Sequence, residues 1–316
     1  MKKLCTLLAL VLLLSCMPMS GCTAVPEPNP ATDFEYEIGE NGNVTITKYI
    51  GQTADVVIPA QIEEKDVTVI GLGSFMFTQI AITSVVLPDT VIRIDDSAFQ
   101  FCSQLSRVTL SKNLTIISQL SFSNCTSLID ITLPDSLEII EKNAFENCTS
   151  LKHINIPSNI KEWWESVFSG CRIETVDIAE GVESIPLGAF SGNNILEVVL
   201  PSSMREVGMY AFYDCENLKS VTLNEGLTTL GDGAFVNSQI EELIIPFTVV
   251  QMTEMVFDHC ASLRTVKFCG NAPNDFIYPP DDPPHVPHNV DCTIYYHEGS
   301  QGFTSPEWNG YSTEIW

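Results

Sequence analysis

Long apolar runs are scarce in this chain of 316 residues. The longest, Leu4 to Cys16, covers about 13 residues and falls short of the roughly 20 that a spanning helix needs. A multi-span membrane protein is thereby excluded. Basic residues are also few: 15 Lys and Arg stand against 40 Asp and Glu, for a formal net charge of -25. Such a field repels nucleic-acid phosphates and anionic headgroups, which removes nucleic acid from the possible partners. There are five histidines, and no G-x-S-x-G, H-E-x-x-H or P-loop is present. The 11 cysteines show none of the C-x-x-C clustering that a four-thiolate metal site requires. Composition and motifs therefore point away from an enzyme and imply no cofactor and no metal.

The N-terminus has its own pattern. Met1-Lys2-Lys3 precedes the short apolar run, and Met17-Pro18-Met19-Ser20-Gly21-Cys22 closes it, which reads as a secretory signal over residues 1–21. Its removal deletes Lys2 and Lys3 and no acid, taking the charge of -25 two units lower, to -27. Thr23 to Asp33 is rich in proline and polar residues and too poor in apolar ones to pack, as suits a flexible tether. The Ser20-Gly21-Cys22 ending resembles the lipobox of bacterial lipoproteins, with Met19 where that family usually has Leu. The resemblance implies a lipidated Cys22 heading a tether over residues 22–33. It also implies an exported protein facing the extracellular or periplasmic side, touching the membrane through its lipid anchor alone.

Beyond the tether, repetition dominates. Phenylalanine recurs at Phe75, Phe99, Phe122, Phe145, Phe168, Phe190, Phe212, Phe235 and Phe257. Five residues before each stands an apolar residue: Ile70, Ile94, Ile117, Ile140, Trp163, Ile185, Val207, Leu230 and Met252. Seven residues before these, from the second repeat on, comes a Leu/Ile column from Leu87 to Ile245, and two before that a Val-type column from Val85 to Leu243. All length variation falls between each Phe and the next Val-type residue. Fixed spacing marks a core that keeps register between neighbours, whereas variable spacing marks a loop on one edge. The Val-x-Leu pairs predict half-buried strands, ended by Pro59, Pro88, Pro134, Pro157, Pro201 and Pro246. A second short strand or bend follows, and Ala-Phe opens a tight or helical turn. Asn124, Asn147, Gly170, Gly192 and Asn237, two after their Phe, suit a left-handed cap.

The stretch Ala144-Phe145-Glu146-Asn147-Cys148 through Leu151, Ile154, Ile156-Pro157 and Ile160 resembles leucine-rich repeats of the BspA type. The likeness runs from about residue 34 to 316. It implies a repeat solenoid: a leucine-rich-repeat-type β-solenoid or horseshoe of about nine coils of 22–24 residues with short helical turns, capped at both ends. The divisions it suggests are an N-terminal cap or partial repeat over 34–69, the solenoid over 70–268 and a C-terminal cap over 269–316. The resemblance also implies a surface role in adhesion or protein binding, with a protein or glycan ligand at the cell surface as partner.

Candidate site residues follow from the columns. Outward positions of the main strand align as Arg107, Asp130, His153, Thr175, Glu197, Ser220 and Glu242, a mixed polar face suited to a protein or glycan. Trp164, Tyr210 and Tyr213 are candidate aromatic anchors. Cys102, Cys125, Cys148, Cys171, Cys215 and Cys260 each lie three after a Phe and form one packed column of thiols rather than a disulfide framework. Cys269 and Cys292 stand outside it, and their pairing is left open. Asp281-Asp282 with His285 and His288 lies in a proline-rich loop and is a weak metal motif.

Overall fold

A computed structural model describes residues 27–252, 254–273 and 291–316. The signal segment, Cys22 and the Asp281–His288 loop lie outside the described residues.

The period-2 strands form and stack. The main ladder has rungs beginning at Asp55, Ser84, Arg107, Asp130, His153, Thr175, Glu197, Ser220, Glu242, Thr265, Thr293 and Tyr311. Its paired strands are parallel and keep the repeat register, with Val85 beside Val108, Ile154 beside Val176, Val198 beside Val221, and Leu243 beside Val266. These rungs enclose about eleven turns, two more than the Phe column counts, because strands of both caps continue the stack. A second parallel ladder sets Ile46, Ile70, Ile94, Ile117, Ile140 and Trp163 side by side, then Ile185, Val207 and Leu230. At the N-terminal end Phe34–Ile38 pairs antiparallel with Val44–Tyr49; at the other, Glu307–Trp308 pairs antiparallel with Tyr311–Ile315. Charged Glu35 and Glu37 on the first of these outer strands discourage edge-to-edge pairing.

Between the ladders runs a stack of rings. From Tyr49 through Phe75, Phe99, Phe122, Phe145, Phe168, Phe190 and Phe212 to Phe235, successive centroids lie 4.8–5.8 Å apart with planes within 24° of parallel. Each ring covers the next, and the phenylalanines are fully buried. Offset stacking adds about 0.5–1.5 kcal/mol per pair beyond the burial itself. Tyr49, a cap residue outside the Phe column, starts the stack, and its hydroxyl donates to Thr53 O (2.8 Å).

The expected helical turn at Ala-Phe is a series of tight turns; among the described residues helix is confined to two 3-10 segments, Ala31–Asp33 and Glu254–Phe257. The position two after each Phe is left-handed in Asn124, Asn147, Gly170, Gly192 and Asn237, and also in Phe101, Asp214 and His259. A second left-handed position, two before the Phe, includes Ser97, Leu120, Asn143 and Tyr210 and carries no glycine or asparagine signature consistent enough to read in the sequence. With two such residues flanking the Phe, the chain reverses within one coil and returns to the main sheet.

Two stability outcomes follow. Phe145→Ala, in the middle of the stack, is expected to cost about 3–5 kcal/mol in chemical denaturation. Phe101 is half exposed at φ 61°; a left-handed conformation costs most side chains about 1–2 kcal/mol. Phe101→Asn is therefore expected to raise stability by about 1 kcal/mol, and an unchanged or lower denaturation midpoint refutes the strain assignment.

Candidate functional site: the interrupted face of the main sheet

Arg107, Asp130, His153, Thr175, Glu197, Ser220 and Glu242 are all exposed on one face. His153 Nδ1 lies 2.9 Å from Thr175 Oγ1 of the same column, and His153 Nε2 lies 3.6 Å from Oδ2 of Asp177, two residues further along that strand. Lys267 forms an ion pair with Glu242.

The ladder beneath them is not continuous, however, and every interruption leads into a coil whose strand is followed by proline. At two paired junctions the residue after the strand donates back one coil, Ala179 N to Ile156 O (3.0 Å) and Cys269 N to Ile245 O (2.9 Å), while at others the earlier coil donates forward, Leu87 N to Thr109 O (2.9 Å) and Leu200 N to Thr222 O (3.0 Å). Proline has no N–H to give. Pro134, Pro157, Pro201 and Pro246 occupy that position in four coils, and among the described residues the ladder into each is lost or reduced to a single bridge. At Pro88 the earlier coil keeps the junction closed by donating forward, Ile58 N to Val86 O (3.0 Å).

Two of the four interruptions are repaired. Arg107 bridges Asp130 through the backbone at the first. At the second, Asn155 substitutes for the ladder: its Oδ1 accepts from Leu133 N (3.2 Å) and its Nδ2 donates to Leu133 O (3.0 Å). The other two remain as open slots. The first, about 430 Å³, lies between Thr175–Ile178 and Glu197–Val199 and reaches Glu180 and Pro201. The second, about 530 Å³, lies between Ser220–Thr222 and Glu242–Ile245 and reaches Lys219, Glu225, Glu241 and Pro246. Core-column residues Val176 and Ile178, and Val221 and Leu223, are only partly buried there. Asp177, Glu180 and Glu197 line the first slot without a basic residue; Glu225, Glu241 and Glu242 line the second with Lys219. Hydrogen bonds from Ser202 N (2.9 Å), Ser202 Oγ (2.9 Å) and Ser203 N (3.3 Å) fix the Glu180 carboxylate and lower its pKa.

The aromatic candidates lie on the other ladder's exit edge. Trp164 leaves its coil beside core Trp163, whose Nε1 donates to Ser184 O (2.8 Å) where second-ladder pairing pauses. Tyr210 and Tyr213 meet edge to face at 5.5 Å. Two residues missed in the sequence join them: Leu187 and Met209 occupy equivalent positions of adjacent coils, linked by Gly188 N to Met209 O (2.9 Å). Trp164, Leu187, Met209 and Tyr210 are 37–48% exposed, an apolar stripe across three successive coils. Single exposed apolar residues carry no periodicity, so only the stacking makes the stripe visible.

The cysteine column is buried and free. Its thiols do more than fill space, since each donates to the carbonyl of a Phe in the preceding coil. These contacts run from Cys102 to Phe75 O (3.3 Å), Cys125 to Phe99 O (3.1 Å), Cys148 to Phe122 O (3.2 Å) and Cys171 to Phe145 O (3.0 Å). Asn193 takes over in its own coil, its Nδ2 donating to Phe168 O (2.8 Å). Cys269 and Cys292 are also free. Cys269 follows Phe268, the partner of Tyr296, while Cys292 precedes Thr293, the partner of Thr265. They thus sit five residues apart along paired strands, about 16 Å at 3.3 Å per residue, which is beyond disulfide reach.

A family model for the BspA-type leucine-rich repeat region matches residues 70–197 and 183–274 in six copies. The chain belongs to the BspA-type leucine-rich repeat family. It is similar in structure to a leucine-rich repeat protein from Bacteroides ovatus, with 25% identity over 85% of this chain and 70% of that one and a TM-score of 0.70. A leucine-rich cell surface protein from Faecalibacterium prausnitzii shares 20% identity over 92% of this chain and 98% of its own, with a TM-score of 0.54, a likeness of fold. The leucine-rich repeat protein of T. pallidum matches at 26% identity over 67% of this chain and 89% of its own, with a TM-score of 0.51. No curated protein matches the chain.

In this BspA-type solenoid burial pushes the thiols of Cys102, Cys215 and Cys292 up to about 12. Reagents that need a thiolate are expected to label the buried cysteines only after unfolding. Unfolded thiols ionise near pH 8.5. From there toward pH 12 the unfolded state binds fewer protons, so stability is full below pH 8.5 and falls as pH rises. Urea titrations at pH 7, 9 and 10.5 check this, and a flat profile refutes it.

Proposed function

We propose that this protein is an exported, lipid-anchored surface protein whose solenoid binds another protein. The apolar stripe of Trp164, Leu187, Met209 and Tyr210 carries the reading. Isolated exposed apolar residues are ordinary, but a run over three successive coils that includes Trp and Tyr has the composition of a protein-binding hot spot. The aligned polar face of the main sheet supports it, since mixed charges steer an encounter and select its partner. The family is one of repeat scaffolds, and an extended surface with no metal-ligand cluster among the described residues suits recognition. Export and anchoring rest on the residues from Met1 to Cys22. Two or more acyl chains on Cys22 give stable attachment, and the short proline-rich tether holds the solenoid off the bilayer.

Two experiments test these points. Labelled palmitate fed to expressing bacteria is expected to enter the protein and to be lost with Cys22→Ala; no incorporation in the natural sequence ends the anchor reading. Purified protein is expected to bind a surface-protein array saturably, with Trp164→Ala and Met209→Ala each weakening binding about tenfold. Binding that persists in these variants but is abolished by deglycosylating the array points to a glycan ligand and overturns the reading.

A further inference from the structure

We infer that the two slots of the main sheet receive arginine side chains of an extended polypeptide segment that crosses the strands along the solenoid axis. The inference rests on the protein-binding reading above and names the chemistry of the partner.

Three observations converge. The slots have an apolar floor and a net acidic wall: Val176 and Ile178 are partly bared beneath Asp177 and Glu197, and Val221 and Leu223 beneath Glu225 and Glu241, beside Lys219 and the Lys267-paired Glu242. An arginine has the complementary profile, with an aliphatic stem that lies on apolar surface and a planar cation that meets carboxylates two at a time. A carboxylate ligand meets repulsion there, and a purely apolar side chain leaves the acidic wall unanswered. Volumes of about 430 and 530 Å³ leave room for such a side chain with its first water shell.

The second observation is spacing. The slots are two coils apart, separated by the intact pairing of Glu197–Val199 with Ser220–Thr222. At one strand spacing of about 4.8 Å per coil this is roughly 10 Å. A polyproline II segment repeats every three residues at about 3.1 Å per residue, so side chains three residues apart project from one side roughly 9 Å apart and match the interval. The recognised segment therefore carries Arg-x-x-Arg. The third observation is the backbone. Pro201 and Pro246 have no N–H to offer Ile178 O and Leu223 O, so main-chain acceptors join the carboxylates as partners for the five donors of a guanidinium.

The test uses the full protein and end-capped peptides labelled with a neutral fluorophore, whose only charges are two arginines, spaced Arg-x-x-Arg or, in a permuted control of identical composition, Arg-Arg. Fluorescence anisotropy is expected to give at least tenfold tighter binding for the first peptide, weakening with added salt. Glu197→Gln and Glu241→Gln, both at exposed positions that leave the core intact, are each expected to reduce that affinity several-fold. Equal affinity for the two peptides, affinity unchanged in both variants, or equal displacement by spermine overturns the inference, since each means that diffuse negative charge is all the peptide senses. If the protein binds the surface array in the Trp164-dependent way while Arg-x-x-Arg peptides fail, the arginine inference alone falls. If the array gives no protein binding while the peptides bind as expected, the broader reading is the one that fails.

Discussion

The whole molecule depends on one constraint: each coil must place its residues directly over their equivalents in the next, about one strand spacing of 4.8 Å away. A ring stack at 4.8–5.8 Å satisfies it in the core, and the two parallel ladders satisfy it in the backbone. A coil of this size cannot bury its apolar face alone, so stability arises at the junctions between coils. That is why spacing within the Val-to-Phe segment is invariant. A single inserted residue there would turn a strand's buried side chains outward and unstack the rings together. The cysteine column serves the same register, since each thiol reaches back one coil to a Phe carbonyl, adding a contact between coils to the turn bond that Phe99 O and Phe122 O already accept from Cys102 N and Cys125 N.

Proline exposes a conflict within that design. It ends each main strand sharply, yet it forfeits the N–H with which a coil holds its predecessor. Where Asn155 lends its side-chain amide, the junction stays closed. Where no substitute is available, before Pro201 and Pro246, the sheet opens and two core-column residues on each preceding strand become partly bared. A repeat protein has few ways to build a concave site, because its regularity favours flat faces. Omitting a backbone donor at chosen junctions makes a recess without disturbing the Phe stack behind it.

Much of this was legible beforehand, and the reason is periodicity. The Phe, Ile and Val columns reveal the ladders because register demands one residue type per position, and the left-handed positions after the Phe announce themselves through Asn and Gly. The additional turns were not legible, because cap strands such as Thr293–Tyr296 pair with the stack without repeating its consensus. The left-handed positions two before the Phe were hidden for a different reason: Leu120 and Tyr210 accept the conformation against their intrinsic preference, held by surrounding backbone bonds such as Tyr210 N to Asp232 O (2.8 Å). The candidate column was read as uniform, and its interruptions depend on which neighbour lacks a donor, a relation between coils that one coil's sequence does not display. Arg107, His153 and Glu197 could be placed on a common face, but not as members of a closed junction, a hydrogen-bonded pair and an open slot.

A formal charge of -25 would strain a compact globule through self-repulsion, whereas a solenoid spreads its acids along an axis many Debye lengths of about 8 Å in extent. Ion pairs between successive coils, Lys152 with Glu174, Lys142 with Glu165 and Lys161 with Glu138, use several of the few bases to tie neighbours together. These pairs cluster around the middle coils, before the first slot. The carboxylates of the first slot face a recess whose lining contains no base, so its potential is less screened than that of the outer surface. Scarcity of lysine and arginine, the property that excludes nucleic acid at the outset, is also what leaves the open junctions negative.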